Sequence, residues 1–296
     1  MKSSPPVFSI HYVGINLKRG IASQQFEDFV RHKGVHIPAY PGWQWTLLRG
    51  LRGEREHQYL MIYQAKDAAT YARYVDSNGE LTVKAHEFWQ QHPQALALIE
   101  EWKSFASFAE LPTLYTYYSL VAENNNSSLP KGPNYRNVLG EEKIERVVGI
   151  HNLALKPGVT PEQFEDFITS NIDRIEDYPG WKFHLLKGQG GNRLDQYAVM
   201  LIIESLDSLN AFHPDMDVST DKALQFVAEH PDTEQMYDEW RTLASFSGAP
   251  QIYTDYVADC RQSECAGKPL VVAFCRLIDR KKVAEATFCA WSWSTD

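Results

Sequence analysis

The sequence predicts an α+β protein in which two similar units, paired within one chain, form a pseudo-twofold barrel. The first observation is a repeat: the tetrapeptide Tyr-Pro-Gly-Trp at 40–43 returns at 178–181, an offset of 138 residues. The same offset links Phe-Glu-Asp-Phe at 26–29 to its copy at 164–167. The second observation is that each copy shows the order strand, helix, strand, strand, helices, strand. A constant offset of this kind indicates a tandem duplication.

Composition and charge limit the class of protein. The chain has 296 residues, of which 44% are hydrophobic, and this is enough for two domains with their own cores. The net charge is −9, and residues 141–258 alone carry 9 basic against 21 acidic side chains. Because such an acidic half repels phosphate backbones, we expect no nucleic-acid partner. The sequence shows neither a run of about 18 apolar residues nor a hydrophobic signal core, so we expect a cytoplasmic protein without a membrane partner.

Each copy opens with a strand and a helix. Residues 7–17 and 147–155 are rich in β-branched and aromatic residues, which favour strands. In the second copy Thr160 can cap the next helix, Pro161 suits its first position and Gln163 completes a capping box. Apolar residues then recur on one helical face. The acids of the two Phe-Glu-Asp-Phe blocks lie between these apolar positions, so we predict that they face solvent.

The repeated Tyr-Pro-Gly-Trp predicts a turn that leads into the second strand. Proline presets φ at the first central position, and glycine accepts the positive φ that a type II turn needs at the second. In the first copy this turn delivers Trp43, Trp45 and Leu47 to one face of the strand. Glycine-rich connections at 50–53 and 188–191 predict a hairpin to the third strand. That strand, at 59–63 and 197–203, is apolar at nearly every position, which indicates burial on both faces.

A mostly helical stretch follows in each copy, and a last strand closes the unit at 114–121 and 252–257. This order is that of the split βαβ, ferredoxin-like unit. Its helices cover only one face of its four-stranded sheet, so the other face needs a partner. The simplest partner is the sheet of the other copy. We therefore expect two sheets packed face to face in one barrel.

These features set the predicted domain boundaries. We predict a first ferredoxin-like repeat at 1–121, a linker at 122–144, a second repeat at 145–258 and a C-terminal tail at 259–296. The linker is polar and contains many residues that break regular structure. The cysteines lie at 260, 265, 275 and 289, all in the tail and without a CxxC pair. The repeats therefore have no disulfide of their own, and the cysteine spacing is not that of a zinc site.

The strand order, the two repeated tetrapeptides and the closing Tyr-Thr-x-Tyr at 115–118 and 253–256 resemble the dimeric α+β barrel superfamily. That group includes antibiotic-biosynthesis monooxygenase-like proteins, stress-responsive barrel proteins and haem proteins related to chlorite dismutase. The resemblance covers residues 7–121 and 145–258 and lies in the fold. It implies a pocket between the sheet and the helices of each half, and it carries over no catalytic residue. The long helical insertion before the last strand departs from the smallest members.

Histidines are the first candidates for chemistry, because imidazole acts as acid, base or ligand near neutral pH. His92 and His230 correspond and each precedes a proline, so we interpret both as marking a helix end. Four others have no histidine at the matching position and are candidates for lining a pocket: His11, His86, His151 and His184. We predict that His11 and His151 lie on equivalent faces of the two first strands, two residues apart in register. The alternative for each is a structural histidine whose hydrogen bonds are satisfied.

Aromatic residues supply the remaining candidates for the ligand pocket, namely Trp89, Tyr12, Tyr59 and Tyr197. Such side chains can hold a flat aromatic substrate without metal or flavin, and the alternative is that they fill the core. His86, which lies beside Phe88 and Trp89 on a predicted helix, is the best candidate for an axial haem ligand. Paired carboxylates, a Ser/His/Asp order and an HExxH motif do not occur in the sequence. We therefore assign no metal ligand and no catalytic residue.

These observations lead to one functional hypothesis with two alternatives. The leading hypothesis is a barrel that binds a small apolar or aromatic compound and, as an enzyme, would be a cofactor-independent oxygenase or isomerase. The alternatives are a haem-binding protein and a non-catalytic interaction module that uses the acidic second half. Because His86 and His184 have no histidine counterpart in the other copy, we expect the two pockets to differ and at most one to be reactive.

Overall fold

The computed structural model of the chain describes residues 7–11, 16–53, 55–77, 80–107, 115–123, 147–191, 193–215, 218–246 and 253–261. Tyr12, most of the predicted linker and almost all of the tail lie outside these ranges. The first half contains β1 (Val7–His11), β2 (Asn16–Leu17), α1 (Ser23–His32), β3 (Trp43–Gly53), β4 (Tyr59–Ala65), α2 (Ala68–Ala72), α3 (Val83–Gln90), α4 (Pro93–Phe105), β5 (Ala106–Ser107) and β6 (Tyr115–Glu123). The second half contains β7 (Val147–Leu155), α5 (Pro161–Asn171), β8 (Trp181–Gly191), β9 (Tyr197–Ile203), α6 (Leu206–Phe212), α7 (Asp221–Glu229), α8 (Pro231–Leu243), β10 (Ala244–Phe246) and β11 (Tyr253–Arg261).

The main strands of both halves form one closed antiparallel sheet. Their order is β3-β4-β1-β6-β8-β9-β7-β11, and β11 pairs back to β3. The predicted fold class, an intramolecular α+β barrel of two ferredoxin-like units, is confirmed. The two sheets of this barrel are also joined edge to edge at the seams β6–β8 and β11–β3, a pairing that the sequence did not predict. Closure of this kind removes the exposed strand edges that two open sheets would keep.

The two faces of this sheet have different partners, because successive side chains on a strand point to opposite faces. Trp43, Trp45 and Leu47 pack with the side chains of the surrounding helices in one aromatic core. The alternate residues point into the barrel. In the first half these are Gln44, Thr46, Leu48, Leu60, Ile62 and Gln64, and in the second half Lys182, His184, Leu186, Ala198, Met200 and Ile202. Every residue of β4 is buried, as its apolar sequence predicts.

The turn before the second strand has the predicted geometry in both halves. The backbone N–H of Trp43 donates to the carbonyl of Tyr40 at 2.9 Å, and Gly42 has φ +84°. At the equivalent turn Gly180 has φ +83°, a conformation that costs glycine little. The helix start predicted at Thr160 is also confirmed, because the side chains of Thr160 and Gln163 each accept a hydrogen bond from the other's backbone N–H. The tetrapeptide therefore fixes where β3 and β8 begin.

The histidine before proline marks a helix end in both halves. His92 separates α3 from α4, and its Nδ1 lies 2.7 Å from the carbonyl oxygen of Phe88. His230 separates α7 from α8, with its Nδ1 at 2.7 Å from the carbonyl oxygen of Phe226. The structural interpretation of this pair is confirmed.

One acid of the first Phe-Glu-Asp-Phe block is buried, so its prediction as a solvent-facing residue is wrong. Glu27 on α1 is 4% exposed, and its Oε1 accepts a hydrogen bond from the hydroxyl of Tyr59 at 2.7 Å. Arg49 on β3 lies 3.7 Å from the same carboxylate oxygen. A buried carboxylate of this kind needs such partners, because its own desolvation is costly. The network ties α1 to the sheet.

The second half repeats this network at the same offset. The hydroxyl of Tyr197 donates to Glu165 at 2.5 Å, and Lys187 lies 2.7 Å from the same oxygen. Here the carboxylate is half-buried. Burial and the neighbouring Glu165 raise the pKa of the Tyr197 hydroxyl, so it remains a donor at neutral pH. Tyr59 and Tyr197, both candidates for lining a pocket, thus use their hydroxyls to hold the first helix of each half.

The two networks should differ in their contribution to stability. We expect Tyr59→Phe to lower the free energy of unfolding by about 1.5–3 kcal/mol, because it removes a hydrogen bond to a buried carboxylate. Tyr197→Phe should cost less, since Glu165 keeps contact with water. Tyr74→Phe is the matched control: Tyr74 is buried and stacks on Tyr40, and within the described residues its hydroxyl makes no hydrogen bond. Urea denaturation of the three variants measures the difference, and equal losses would contradict the prediction.

Candidate functional site in the second half

In the first half, aromatic rings fill the space between the sheet and the helices. The ring of Tyr40 stacks on that of Tyr74 with centroids 4.2 Å apart. Its hydroxyl accepts a hydrogen bond from the indole nitrogen of Trp89 at 2.9 Å. Burial raises the pKa of Tyr40, so this hydroxyl stays neutral. Trp89, a candidate pocket residue, is therefore part of the buried aromatic core of the first half.

The second half has smaller or more polar residues at the corresponding places. Tyr178 keeps the position of Tyr40, but the surrounding residues change. At the offset of 138 residues, Val227 replaces Trp89, Leu201 replaces Tyr63, Tyr237 replaces Ile99 and Asp177 replaces Ala39. Position 227 therefore has no indole N–H of the kind that Trp89 donates to Tyr40.

At these positions the sheet–helix interface of the second half is less completely buried than that of the first. Tyr40, Tyr63 and Ile99 are buried, whereas Tyr178, Leu201 and Tyr237 each keep accessible surface. The buried core of the first half is one continuous cluster. In the second half it is divided into one cluster that contains Phe164, Phe183 and Trp240 and another that contains Trp181, Leu209 and Phe212. Leu201 packs against both clusters. We give the name second-half cleft to the partly exposed site that Asp177, Tyr178, Leu201, Phe226 and Tyr237 form there.

Helix α8 holds the loop that carries Asp177 and Tyr178. The hydroxyl of Thr233 donates to the carbonyl of Arg174 at 2.8 Å and accepts from the backbone N–H of Glu176 at 3.0 Å. Arg174 also makes two hydrogen bonds of 3.2 Å to the carboxylate of Glu239 on the same helix. Bidentate pairs of this type fix geometry as well as charge. The loop therefore enters the cleft in a defined position.

The polar groups of the cleft are two hydroxyls and one carboxylate. Burial, followed by the nearby Asp177 and Tyr178, raises the pKa of Tyr237. Burial also raises the pKa of Tyr178. Both phenols are therefore protonated at neutral pH and able to donate. The Asp177 carboxylate accepts from the backbone N–H of Phe183 at 3.2 Å. The cleft can thus donate to an oxygen of a ligand and accept from a hydroxyl.

Aromatic rings line the other side of the cleft. The ring of Tyr178 lies 4.2 Å from that of Phe212 and 4.8 Å from that of Phe226. His213, at the end of α6, lies 5.5 Å from the Tyr178 ring. Flat rings grouped in this way favour a flat partner, because offset and edge-on ring contacts then become available.

His151 lies beside the cleft on the helix-facing side of β7. Leu201 pairs with Gly149, and His151 is the next residue on that face of the strand. Burial, with a smaller contribution from Arg52, lowers the pKa of His151 to about 4. The imidazole is therefore uncharged at neutral pH. Its ring also contacts that of Phe246 at 5.4 Å.

The predicted register of His11 relative to His151 is wrong by two residues. His11 pairs with Met61 and Tyr115, and His151 pairs with Val199 and Tyr253. These partners correspond at the 138-residue offset, so the two histidines occupy the same register position. The first half has two additional residues between His11 and Lys18 relative to the second. Each first strand therefore carries a histidine at one equivalent site.

His184 lies on the opposite side of the sheet from the cleft, inside the barrel. It is 0% exposed, and burial together with the neighbouring charge of Lys182 lowers its pKa to about 3. Thr46 is its counterpart in the first half. The barrel interior therefore contains buried polar side chains, namely Thr46, Gln64, Lys182 and His184.

The remaining sequence-predicted candidates do not meet at one site. His86 is half-buried on α3 in the first half, and Tyr12 lies outside the described residues. Asp177, Tyr178 and Tyr237, which line the cleft, were not among the candidates. Comparison of the two copies in the sequence could have indicated them, because the exchange of Trp89 for the smaller Val227 distinguishes the second half from the first.

Haem does not fit at the predicted axial ligand His86. A haem needs a flat apolar slot beside its ligand. The space under α3 contains the Trp89 indole, which is hydrogen-bonded to the Tyr40 hydroxyl. It also contains the ring of Phe88, whose centroid lies 5.0 Å from that of Tyr40. In the second half, Leu224 stands at the position of His86. The haem alternative therefore gains no support from the residues proposed for it.

The described part of the chain contains neither a cluster of metal ligands nor a helix that could span a membrane. Among those residues, no three or more His, Cys, Asp or Glu side chains group so as to hold a metal ion. In the same ranges, no helix combines the length and the apolar character needed to cross a membrane.

The buried histidines predict how stability depends on pH. In the unfolded chain His184 binds a proton below about pH 6.5, whereas in the folded protein burial prevents this until about pH 3. Stability should therefore be complete above about pH 6.5 and fall by about 1.4 kcal/mol per pH unit below it for each such histidine. His184→Gln should remove one of these slopes in urea denaturation between pH 7 and 5. His57→Asn, which changes a side chain that is 86% exposed, is the control and should leave the slope unchanged. The same slope in His184→Gln as in the unmodified protein would refute the assignment.

Comparison with known proteins gives a fold likeness only. No family model and no curated protein matches the sequence. Similar solved structures include a "putative monooxygenase" from Lactobacillus acidophilus NCFM, with 10% identity, a TM-score of 0.46 and coverage of 87% of this chain and 96% of that one. They also include an anthrone oxidase-like protein, with 10% identity, a TM-score of 0.47 and coverage of 92% and 98%. A "putative chlorite dismutase" matches with 8% identity, a TM-score of 0.46 and coverage of 86% and 95%. At these values none of the named activities transfers to this chain.

Proposed function

We propose that the protein binds a small, flat, mostly apolar or aromatic molecule with an oxygen substituent in the second-half cleft. The observation that carries this proposal is the difference between the halves at one position. Trp89 is 5% exposed and fills the first half, whereas the smaller Val227 at the matching position is 36% exposed. Partly enclosed apolar clefts with a few converging polar groups are the usual form of small-molecule sites.

The lining of the cleft supports this class of ligand. Tyr178 and Phe226 offer aromatic faces to a flat ring system. The hydroxyls of Tyr178 and Tyr237 suit a carbonyl or phenolic oxygen, and Asp177 suits a ligand hydroxyl. A ligand with one or two oxygen atoms on a fused-ring body satisfies both the apolar and the polar parts of the lining.

A second candidate function is proton transfer on such a ligand, because His151, a side chain able to accept a proton, lies beside the cleft. A neutral imidazole can accept a proton from an acidic C–H or O–H group, and the electron pair then stays on the ligand as an enolate. Return of the proton to another carbon completes an isomerisation. With dioxygen as co-substrate, the enolate carbon is instead oxidised, one oxygen atom enters the product as a carbonyl and the other leaves as water. Neither route requires a bound cofactor.

A large side chain placed in the cleft should weaken the binding of a flat ligand. We expect Val227→Trp to recreate the plug that Trp89 forms in the first half and to weaken the binding of naphthol at least about tenfold, because the indole would occupy the ligand's place. Leu224→Trp is the matched control, since Leu224 is 60% exposed on the same helix. Isothermal titration of naphthol into each protein measures the effect.

Two results would count against the binding proposal. One is the absence of naphthol binding to the unmodified protein. The other is equal affinity in the Val227→Trp and Leu224→Trp variants, which would place the ligand elsewhere.

The proton-transfer candidate can be tested with anthrone, a flat ketone with an acidic C–H group. We expect the protein to accelerate dioxygen uptake by anthrone above the spontaneous rate, and His151→Gln to reduce the acceleration at least about tenfold, as for the loss of a general base. His86→Gln, in the first half, should retain it. Oxygen-electrode rates that are the same with and without protein would exclude the oxygenase, and the cleft would then remain a binding site.

A further inference from the structure

The first half places a charged residue near the second-half cleft. At the β11–β3 seam, the end of β3 pairs with a strand of the second half. Leu51 packs against the cluster of Trp181 and Phe212. The next residue, Arg52, donates from its Nη1 to the carbonyl of His213 at 2.9 Å. The second half offers no such arginine in return, because position 190, at the same offset, is a glycine.

Arg52 lies beside residues that border the cleft. The ring of His213 is 5.5 Å from that of Tyr178 and 6.0 Å from that of Trp181. The guanidinium also lies close enough to His151, on β7, to help lower the pKa of that imidazole. Arg52 is half-buried, so its charge is less screened than that of a surface arginine. It thus brings positive charge to a cleft whose own carboxylate, Asp177, lies on the loop before β8.

The charge around the cleft gives this arginine its significance. Residues 141–258 have 12 more acidic than basic side chains. In such surroundings an anionic or oxygen-rich substituent would be disfavoured without a local cation. An arginine fork is well suited to a carbonyl, phenolate or carboxylate oxygen.

We propose that Arg52 is a specificity-determining residue of the second-half cleft, supplied by the first half, which favours ligands with an anionic or strongly accepting oxygen over ligands with a cationic substituent. The proposal rests on the proposed binding function. It adds that a site within one half takes its charge selectivity from the other half.

The test compares matched probes that share one ring system. Naphthoate and naphthylmethylammonium are titrated separately into the unmodified protein and into Arg52→Gln, Arg52→Lys and Arg49→Gln. We expect the unmodified protein to prefer naphthoate, and Arg52→Gln to shift the ratio of the two affinities about tenfold towards the cation. Arg52→Lys keeps the charge and should keep most of the preference. Arg49→Gln, on the same strand but next to Glu27, should leave the ratio unchanged.

The possible outcomes separate the two proposals. If the unmodified protein binds neither these probes nor naphthol, both proposals fail. If naphthol binds and the affinity ratio is the same in Arg52→Gln as in the unmodified protein, only the role of Arg52 is overturned. A general structural defect would weaken both probes equally and leave the ratio unchanged, so that outcome also counts against the proposal. If Arg52→Gln does not fold, a preference lost in the folded Arg52→Lys variant would overturn it too.

Discussion

The hydrogen bonds of the two seams are the constraint on which the rest of the structure depends. They pair β6 with β8 and β11 with β3, and they convert two open sheets into one closed sheet. An open ferredoxin-like sheet would leave one face and two edges in water. Closure buries that face as the barrel interior, where Leu48, Leu60, Leu186 and Met200 have no exposed surface. The helices then have a rigid wall to pack against.

Closure also explains why residues of the first half pack in the hydrophobic clusters of the second half. The end of β6 brings Val121 and Ala122 into the core beneath the helices of the second half. The end of β3 brings Leu51 to the cluster around Trp181. These exchanges complete the apolar surfaces that a single half leaves unfinished. The same geometry delivers Arg52 to the neighbourhood of the cleft, so its place there follows from the strand pairing.

Within this shared frame the halves differ mainly in how the space over the sheet is used. In the first half, Tyr40, Tyr74 and Trp89 close it with ring contacts and one hydrogen bond. In the second half Tyr178 and Phe212 form the equivalent stacked pair, but Val227 stands at the position of Trp89. Dense aromatic packing contributes stability, whereas an open cleft contributes less and is retained where a ligand is bound. The difference in burial between the halves follows from exchanges of side chains at a few positions.

The sequence predicts most of the fold and little of the site, for physical reasons. Turn chemistry, helix caps and strand periodicity are local, so the turn at Gly42, the cap at Thr160 and the buried β4 could all be predicted. Apolar patterning shows that a face is covered, but not which strand edges pair, so the seams were missed. Glu27 faces a partner 32 residues away in sequence, which no local pattern reveals. The repeated blocks all lie downstream of Lys18, so they could not show the two-residue difference before it.

The joining of both units in one polypeptide removes a restriction that symmetry would impose. In a barrel built from identical subunits, every substitution occurs on both sides. The exchange of tryptophan for valine would then occur in both subunits. The position of Arg52 would likewise hold an arginine in both subunits or a glycine in both. In this chain the first half keeps the buried Trp89, while the second half has the smaller and more exposed Val227. In a fused chain, substitutions that loosen the packing of one half can therefore accumulate while the other half keeps the packing that stabilises the barrel.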